Sequence, residues 1–459
     1  MQDDKECQFL SCMQPLAKKG FNSKKLKMPK KKKIFHLLRG MKDILPEDSP
    51  YWFWLRKTGE NLARSYNFSY IQTPILEKKE LFERSTGKES EVVKKQMFSF
   101  RTKGGDSVVL RPEFTPAIIR SYLEQGMSSW PQPVKLFYFG PVFRYERPQQ
   151  GREREFHQFG FEIIGSSEPA YDAQVILILW KFLKSLKIKT LTVKINDIGC
   201  QRCRKKYIRL LKKYYQTKKK LICSDCRERL KSNPLRVLDC KNPKCQEIKK
   251  GAPIILDHLC QSHRENFKEI LEILDNLKVP YLLDPYLVRG LDYYSDMVFE
   301  IFAYDVEEIE KETNPLALAA GGRYNSLIKE LGGKSVPALG GAIGVERVID
   351  LLKERKISTA KQEKSQLFLV QLGKEAKKQA VLIFEELIKE GFRVKENFAK
   401  ESLKAQMQLA DREKIPFVLI LGQKEVFSQT IIFKDMETGV QEEIPLKKLI
   451  PVLKKRLKK

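Results

Sequence analysis

Short apolar runs, several of them alternating with polar residues, recur between residues 66 and 345 and predict β-strands. The runs VKLFYFGPVFRYE and REFHQFGFEIIG flank the polar segment RPQQGRER, so they predict one long β-hairpin. Helical periodicity intervenes only occasionally, notably in the apolar stretch 170–187. Strands with few alternating helices are typical of an antiparallel sheet rather than a doubly wound parallel one. We therefore predict an α+β fold with helices flanking that sheet.

Changes in composition divide the chain into segments. Residues 366–459 alternate strands with helices and then add a hairpin and a last helix, which predicts a separate α/β domain. The polar stretch before it is typical of a linker. The predicted segments are a disordered basic tail at 1–34, a sheet-bearing domain at 35–195 and 276–354, an inserted basic, cysteine-rich module at 196–275, a linker at 355–365 and the α/β domain at 366–459.

Charge narrows the classes of function. Lys and Arg number 86 against 58 Asp and Glu, a net charge of +28. Residues 201–250 hold 18 basic and 4 acidic residues, so half of the excess lies in the inserted module. Solubility needs less charge than this, and the clustering favours a nucleic acid as partner. The longest apolar stretches are too short to span a bilayer and no export signal opens the chain, which predicts a cytoplasmic protein without a membrane partner.

Cysteine is concentrated in the same module, where six of the nine cysteines lie within 46 residues. The pairs Cys200-x2-Cys203 and Cys223-x2-Cys226 are 19 residues apart, a spacing that matches zinc ribbons. Two further cysteines, at 240 and 245, could replace one pair, and a set of reduced free thiols is the alternative. We interpret the two histidines of the module, at 258 and 263, as surface residues.

Three strings concentrate arginine, glycine and aromatic residues. The first is FRYERPQQGREREFHQFGFEIIG at 143–165, in which a half-buried arginine would need an anion. His157 in this string is either a catalytic base or a structural residue. The other strings are LVRGLDYYSDMVFE at 287–300 and AAGGRYNSLI with ALGGAIGVERVIDLL at 319–352. The tempting run Gly-Lys-Ser at 333–335 is no phosphate-binding P-loop, because that motif requires glycine where Ile328 stands.

Together these strings resemble the class II aminoacyl-tRNA synthetases, specifically the histidyl-tRNA synthetase family, over roughly residues 36–455. FRYE with its loop is similar to the second motif of the class, GVER to its third, and RGLDYY and AGGRY to two histidine-specific strings. The helix through 61–66 and the strand ending at Pro74 resemble the first motif, which forms the dimer interface in that class. The resemblance implies a homodimer, a six-stranded antiparallel sheet and an anticodon-binding function for residues 366–459.

The resemblance also implies a reaction. Histidine is activated by ATP, with Mg²⁺, to histidyl-adenylate and pyrophosphate, and is then transferred to the 3′ end of tRNA(His). In-line attack at phosphorus requires positioning and positive charge, which guanidinium groups supply. By resemblance the catalytic arginines are Arg144, Arg289 and Arg347. These three with Glu146 bind ATP.

The amino-acid pocket is implied in the same way. Ligands of the α-amino group would be Glu113, Thr115 and Gln158; groups around the imidazole would be Glu162, Tyr293 and Tyr294; and contacts with the tRNA acceptor end would be Gln149 and Arg152. Phe114 departs from the family pattern, which usually has a small residue there. Its ring would point away from the pocket if residues 113–115 were a strand.

Two other classes of protein share parts of this pattern. The regulatory subunit of ATP phosphoribosyltransferase resembles these synthetases but lacks the anticodon-type domain. A catalytically silent synthetase-like RNA-binding module would have no need of the three arginines. The presence of residues 366–459 and of Arg144, Arg289 and Arg347 favours an active ligase over both.

Overall fold

A computed structural model describes residues 35–457 except 88–89, 91, 148–150, 306–307, 309–315 and 360–364. The predicted tail at 1–34 and residues 360–364 of the predicted linker lie outside the described residues. The described strands before residue 355 are β1 (Ser69–Tyr70), β2 (Leu76–Lys78), β3 (Ser99–Arg101), β4 (Ser107–Leu110), β5 (Val134–Phe143), β6 (Glu155–Ile164), β7 (Thr192–Asp197), β8 (Tyr281–Leu283), β9 (Ser295–Phe302), β10 (Ala319–Arg323) and β11 (Ala338–Gly344). The α-helices are α1 (Ser49–Ser65), α2 (Lys79–Ser85), α3 (Thr115–Glu124), α4 (Pro169–Ser185), α5 (Gln201–Thr217), α6 (Ser224–Ser232), α7 (Pro243–Lys249), α8 (Gln261–Asn276), α9 (Leu327–Glu330) and α10 (Val345–Glu354).

The main sheet has the strand order β1-β5-β6-β11-β10-β9-β7-β8. Its six inner strands pair antiparallel, and β5 and β6 form the predicted hairpin, in which Phe143 lies opposite Glu155. The α+β class and the antiparallel sheet are therefore confirmed. The short strands β1 and β8 extend the sheet in parallel pairing at its two edges. Strands β2, β4 and β3 form a separate small antiparallel sheet.

One face of the sheet is covered by α1 and α4. A Cβ on Gly59 of α1 would lie 2.5 Å from the ring of Phe182 in α4 and 2.6 Å from that of Phe159 in β6, so only glycine permits this approach. Helix α8 packs on α4 and buries Phe267 and Ile270 in the same core. The end of the predicted inserted module is thus packed against the sheet-bearing domain, and the module's boundary stays a prediction.

The module is helical in its described part. In α5 every fourth residue is buried, namely Cys203, Tyr207, Leu211 and Tyr215. Tyr207, Leu211 and Tyr215 join a second core that includes Tyr293 and Val298, beside β9. The lysines and arginines of α5 lie mainly on the other side of the helix. Amphipathic packing therefore leaves much of the module's positive charge facing solvent.

The C-terminal residues form the predicted α/β unit. Its strands are β12 (Leu367–Gln371), β13 (Val394–Glu396), β14 (Phe417–Leu421), β15 (Thr430–Asp435) and β16 (Gln441–Pro445), and its helices are α11 (Lys374–Lys389), α12 (Leu403–Arg412), α13 (Gln423–Ser428) and α14 (Leu449–Leu457). The strand order is β13-β12-β14-β15-β16, with parallel pairing around β12 and antiparallel pairing beyond β14. Among the described residues, no helix has both the length and the hydropathy to cross a bilayer.

Candidate active site

A cavity of about 340 Å³ opens on the main sheet between the β5–β6 hairpin, β9–β11 and the start of α3. All described residues that the resemblance assigns to histidine, ATP or the acceptor end line it. They are Glu113, Thr115, Arg144, Glu146, Arg152, Gln158, Glu162, Arg289, Tyr293, Tyr294 and Arg347. Gln149 lies outside the described residues. The structure thus brings together residues that are up to 234 positions apart in the sequence.

Strand β6 divides its side chains between the two faces of the sheet. Gln158 and Glu162 line the cavity, as their even spacing predicts. His157 is not among the lining residues, and its ring packs edge-on against Trp52. Its Nδ1 lies 2.9 Å from Oε1 of Glu346, whose carboxylate also accepts the backbone N–H of His157. The geometry favours the structural interpretation of this histidine over the catalytic one.

Glu113 is a buried carboxylate of which one oxygen accepts a hydrogen bond. The hydroxyl of Tyr293 donates a 2.7 Å hydrogen bond to its Oε2. Its Oε1 is buried and has no hydrogen-bond partner among the described residues. Desolvation raises the pKa of Glu113 to about 7, although the Tyr293 hydrogen bond and the charge of Arg144 oppose the rise. Such a carboxylate is suited to accept a cationic group that enters the cavity.

Glu162 forms the second buried acidic position. Thr115 donates a 2.8 Å hydrogen bond to its Oε1, and the hydroxyl of Tyr324 donates to Oε2. Desolvation raises the pKa of Glu162 to about 8, while hydrogen bonds from Tyr324, Thr115 and Tyr138 lower it. The sequence interpretation missed Tyr138 and Tyr324 as partners. Tyr324 ends the string AGGRY, so its place in that string was the available signal.

Three guanidinium groups lie together in the lining of the cavity, those of Arg144, Arg152 and Arg347. Arg347, in the first turn of α10, donates hydrogen bonds of 3.0 Å to the carbonyls of Gly151 and Ala317. Arg144 follows β5 and donates a 3.0 Å bond to the carbonyl of Pro112. Burial, together with the charges of Arg152 and Arg144, lowers the pKa of Arg347 to about 10. This mutual repulsion would be relieved by a polyanionic ligand.

Arg289 has a partner that the sequence interpretation did not name. Its Nη1 forms an ion pair with Oε1 of Glu300 in β9, and both residues line the cavity. The Nε of Arg289 is buried without a hydrogen-bond partner in the described part of the chain. Arg289 therefore keeps a donor available while Glu300 holds the guanidinium in position.

Phe114 does not lie on a strand. It directly precedes α3, and its ring is buried between Tyr138, with ring centroids 4.2 Å apart, and the guanidinium of Arg111, 3.8 Å from the ring centroid. The expectation based on strand alternation is therefore wrong. Glu113 and Thr115 nevertheless both line the cavity, because the turn into the helix allows consecutive residues to do so.

The cysteines form two groups, and neither is the predicted quartet. The thiols of Cys223, Cys226, Cys240 and Cys245 all lie within 4.8 Å of one another. Of the other predicted pair, Cys200 lies in a group with Cys260 and His263. Cys240 and Cys245 thus replace the first pair, the alternative that the sequence left open. The interpretation of His263 as a surface residue is wrong, since its side chain is 20% exposed and is bonded to Asp296.

Arg144 follows one strand of the β5–β6 hairpin, and Arg347 lies in the first turn of the helix after β11. Both arginines line one cavity on an antiparallel sheet. This arrangement defines a class II aminoacyl-tRNA synthetase. Residues 40–348 match the family model of histidyl-tRNA synthetase, and residues 366–456 match that of the anticodon binding domain. The chain belongs to the histidyl-tRNA synthetase family, whose members are ATP-dependent ligases. The predicted family and enzyme class are confirmed.

Individual relatives agree along nearly the whole chain. The histidine–tRNA ligase of Natranaerobius thermophilus is 42% identical over 410 residues, which cover 89% of this chain and 96% of that protein. The histidine–tRNA ligase of Thermosipho melanesiensis is 43% identical over 411 residues, covering 90% and 96%. The crystal structure of apo S. aureus histidyl-tRNA synthetase superposes with a TM-score of 0.76 at 35% identity, covering 92% of this chain and 100% of that one.

Proposed function

We propose that this chain activates L-histidine with ATP and transfers the histidyl group to the 3′ end of tRNA(His). The observation that carries the proposal is the juxtaposition of two kinds of group in one cavity. Buried carboxylates at Glu113 and Glu162 suit a small cationic amino acid, and the arginines beside them suit a polyphosphate. A ligase that joins an amino acid to a nucleotide needs both.

Histidine binding follows from the buried acidic positions. The free oxygen of Glu113 accepts the α-ammonium group, assisted by Gln158. Glu162 and Tyr294 face the imidazole, with Tyr293 as a wall of the pocket. An apolar competitor of similar size would leave these polar groups unpaired, which penalises it by several kcal/mol, roughly 10⁴-fold in rate.

The activation step is a displacement at the α-phosphate. The histidine carboxylate attacks phosphorus, the P–O bond to the pyrophosphate breaks, and pyrophosphate leaves. Arg144 and Arg289 stabilise the charge at the α-phosphate, and Arg347 holds the adenine and outer phosphates. Glu146 and Glu300 offer carboxylate oxygens in the cavity, the donors that Mg²⁺ prefers. Magnesium held there would neutralise charge on the outer phosphates.

Transfer to tRNA uses residues at and beyond the cavity mouth. Arg152 is exposed there and bonded to Glu146 at 3.3 Å, so it is available to the acceptor end together with Gln149. The exposed charge of the module at 196–275 contributes phosphate contacts. The domain at 366–459 recognises the anticodon. One chain would then contact both the acceptor end and the anticodon of the same tRNA.

A structural zinc ion belongs to the proposal, with corrected ligands. Cys223, Cys226, Cys240 and Cys245 supply four thiolates, the usual set for a closed tetrahedral site. Cys223 and Cys240 have their sulfur atoms 3.8 Å apart, the separation of about 3.8 Å expected for Zn–S bonds of about 2.3 Å. The backbone N–H of Cys223 donates to the sulfur of Cys245 at 3.3 Å, which stabilises a thiolate.

We also propose a homodimer that acts in the cytoplasm. Strand β1 is an edge strand of the described sheet, and large apolar side chains of α1, β1 and β2 are exposed: Phe53 by 68%, Tyr70 by 46% and Leu76 by 46%. A second copy would cover them. The cysteines of the module are free thiols, which favours a reducing compartment such as the cytoplasm.

Histidine-dependent ATP–pyrophosphate exchange without tRNA tests the activation step. Against a panel of amino acids, we expect exchange with histidine alone. Folded protein that shows no exchange would contradict the proposed activity. Charging of purified tRNA(His), compared with another tRNA, then tests the transfer step separately.

A further inference from the structure

Four residues at the two ends of the inserted module converge on one point. Cys200 directly precedes α5, and Cys203 lies in its first turn; Cys260 directly precedes α8, and His263 lies in its first turn. We propose that Cys200, Cys203, Cys260 and His263 form a second zinc site, independent of the one at Cys223, Cys226, Cys240 and Cys245. The chain would then hold two structural zinc ions.

The donor atoms have the spacing of a tetrahedral site. The sulfur atoms of Cys200 and Cys203 are 3.6 Å apart, against about 3.8 Å expected for two thiolates on one zinc. The sulfur of Cys260 is 3.2 Å from Nδ1 of His263, against about 3.5 Å expected for a thiolate and an imidazole. The ligand atoms of Cys200, Cys260 and His263 all lie within 4.8 Å of one another.

Cys203 completes the set from the buried side. Its sulfur accepts the backbone N–H of Cys260 at 3.1 Å and lies 3.6 Å from the sulfur of Cys200, so it lies beside the group of Cys200, Cys260 and His263. Three thiolates and one imidazole are a common closed set for structural zinc, and the thiolates disfavour Mg²⁺ and Ca²⁺. The spacings C-x2-C and C-x2-H place each pair at one helix start, as Cys223-x2-Cys226 does at the start of α6.

The histidine is oriented as metal-bound imidazoles usually are. Its Nε2 lies 2.5 Å from Oδ1 of Asp296, which leaves Nδ1 directed at the cysteines. Asp296 is itself fixed by donors at its other oxygen, Ser295 at 2.8 Å and Asn325 at 2.6 Å. A carboxylate on the far nitrogen holds both the tautomer and the ring plane, which is the outer arrangement typical of zinc histidines.

The location gives the site a structural consequence. Zinc here would join the first and last helices of the module, closing a loop of about 60 residues. Through Asp296 it would also reach β9 two residues after Tyr294, which lines the cavity. The site would therefore hold the module against the sheet beside the histidine pocket.

Zinc stoichiometry of the full-length protein tests the proposal. After purification without chelators, native mass spectrometry and elemental analysis should give about two zinc ions per chain. Cys245→Ser and His263→Asn should each lose one ion, and the double variant both. His258→Asn is the matched control, because His258 lies in neither group of ligands, and it should keep both ions.

Cobalt substitution adds a spectroscopic readout of the ligand set. Co²⁺ at both sites should give tetrahedral d–d bands, and His263→Asn should remove the part that belongs to three thiolates and one nitrogen. A wild-type protein with one zinc that Cys245→Ser abolishes would overturn the proposal, as would a second zinc that survives both His263→Asn and Cys260→Ser. If Cys200 and Cys203 formed a disulfide, or if Cys260, His263 and Asp296 were bonded without a metal, the wild-type protein would hold one zinc, and Cys245→Ser would abolish it.

Discussion

Tyr293 donates its hydroxyl hydrogen to one oxygen of Glu113 and leaves the other oxygen of that carboxylate buried and unpaired among the described residues. An unpaired buried carboxylate costs free energy, so the arrangement is best explained by a cationic ligand that completes it. Glu113→Gln keeps the shape and removes the charge. We expect the KM for histidine in pyrophosphate exchange to rise by about 100-fold or more, the range for a lost buried charge pair. The KM for ATP serves as the control and should change little.

The same carboxylate predicts a pH dependence. Burial raises the pKa of Glu113 to about 7 in the unliganded protein, so its negative charge develops as the pH rises through that value. Histidine affinity should therefore increase between about pH 6 and 8. Conversely, the neutral carboxyl stabilises the unliganded fold below about pH 4.5, and that contribution is lost as the pH rises through about 7.

Glu113→Gln and Tyr293→Phe separate this effect from the titration of histidine itself. The first variant should lack the Glu113 component of the pH profile. The second should move its midpoint upward, because the Tyr293 hydrogen bond lowers the pKa of Glu113. A wild-type profile identical to that of Glu113→Gln would contradict the assignment.

The close contact between Gly340 and Glu162 allows a steric test of the role of Glu162. A Cβ at Gly340 would lie 1.7 Å from Oε2 of Glu162 and 2.7 Å from the carbonyl oxygen of Phe161, so alanine would displace the carboxylate or the strand. We expect Gly340→Ala to reduce histidine-dependent exchange by about 10² or more, since misplacement by an ångström has that scale of cost. Gly104→Ala, where the nearest atom is 3.8 Å away, should leave exchange unchanged. Equal activity in the two variants would argue against a role for Glu162.

How far the sequence predicted this site depends on which interaction is considered. Gln158 and Glu162 were placed together because strand periodicity fixes which side chains share a face. Tyr324 was missed because its hydrogen bond to Glu162 spans 162 positions and depends on strand pairing that no local pattern reveals. Phe114 was misplaced because residues 113–115 turn into a helix directly after a short strand. Local periodicity therefore predicted faces, and long-range partners needed the fold.

A conservative substitution of Arg347 tests its proposed role in phosphate binding. Arg347→Lys keeps a charge but loses the planar fork whose Nε and Nη1 donate to Gly151 and Ala317. We expect kcat for pyrophosphate exchange to fall by about 10²–10³, the range for removing one transition-state donor. Arg355→Lys, just beyond the same helix, is the matched control and should retain activity. A variant that raises only the KM for ATP would instead assign Arg347 to ground-state binding.

The cysteines show that spacing along the sequence does not determine which cysteines meet in the fold. Spacing alone favoured Cys200, Cys203, Cys223 and Cys226 as one quartet, because two adjacent C-x2-C pairs are typical of a zinc ribbon. The fold instead nests the pairs, so that the outer ones meet at one end of the module and the inner ones meet separately. Which pairs meet depends on how α5 and α8 return to the sheet, and that is a property of tertiary packing rather than of spacing.

The exposed face of α5 predicts how the module contributes to tRNA binding. Lys205, Lys206 and Arg209 are exposed while Tyr207 between them is buried. Reversing the three charges to glutamate should raise the KM for tRNA(His) and lower the salt dependence of binding by about three phosphate contacts, with a slope change of about 0.7–0.9 per contact. Pyrophosphate exchange, which needs no tRNA, should stay at the wild-type rate. The charge-conserving variant Lys205→Arg/Lys206→Arg/Arg209→Lys should bind as the wild type does. If charge reversal left the salt slope unchanged, Lys205, Lys206 and Arg209 would have no contact with tRNA phosphates.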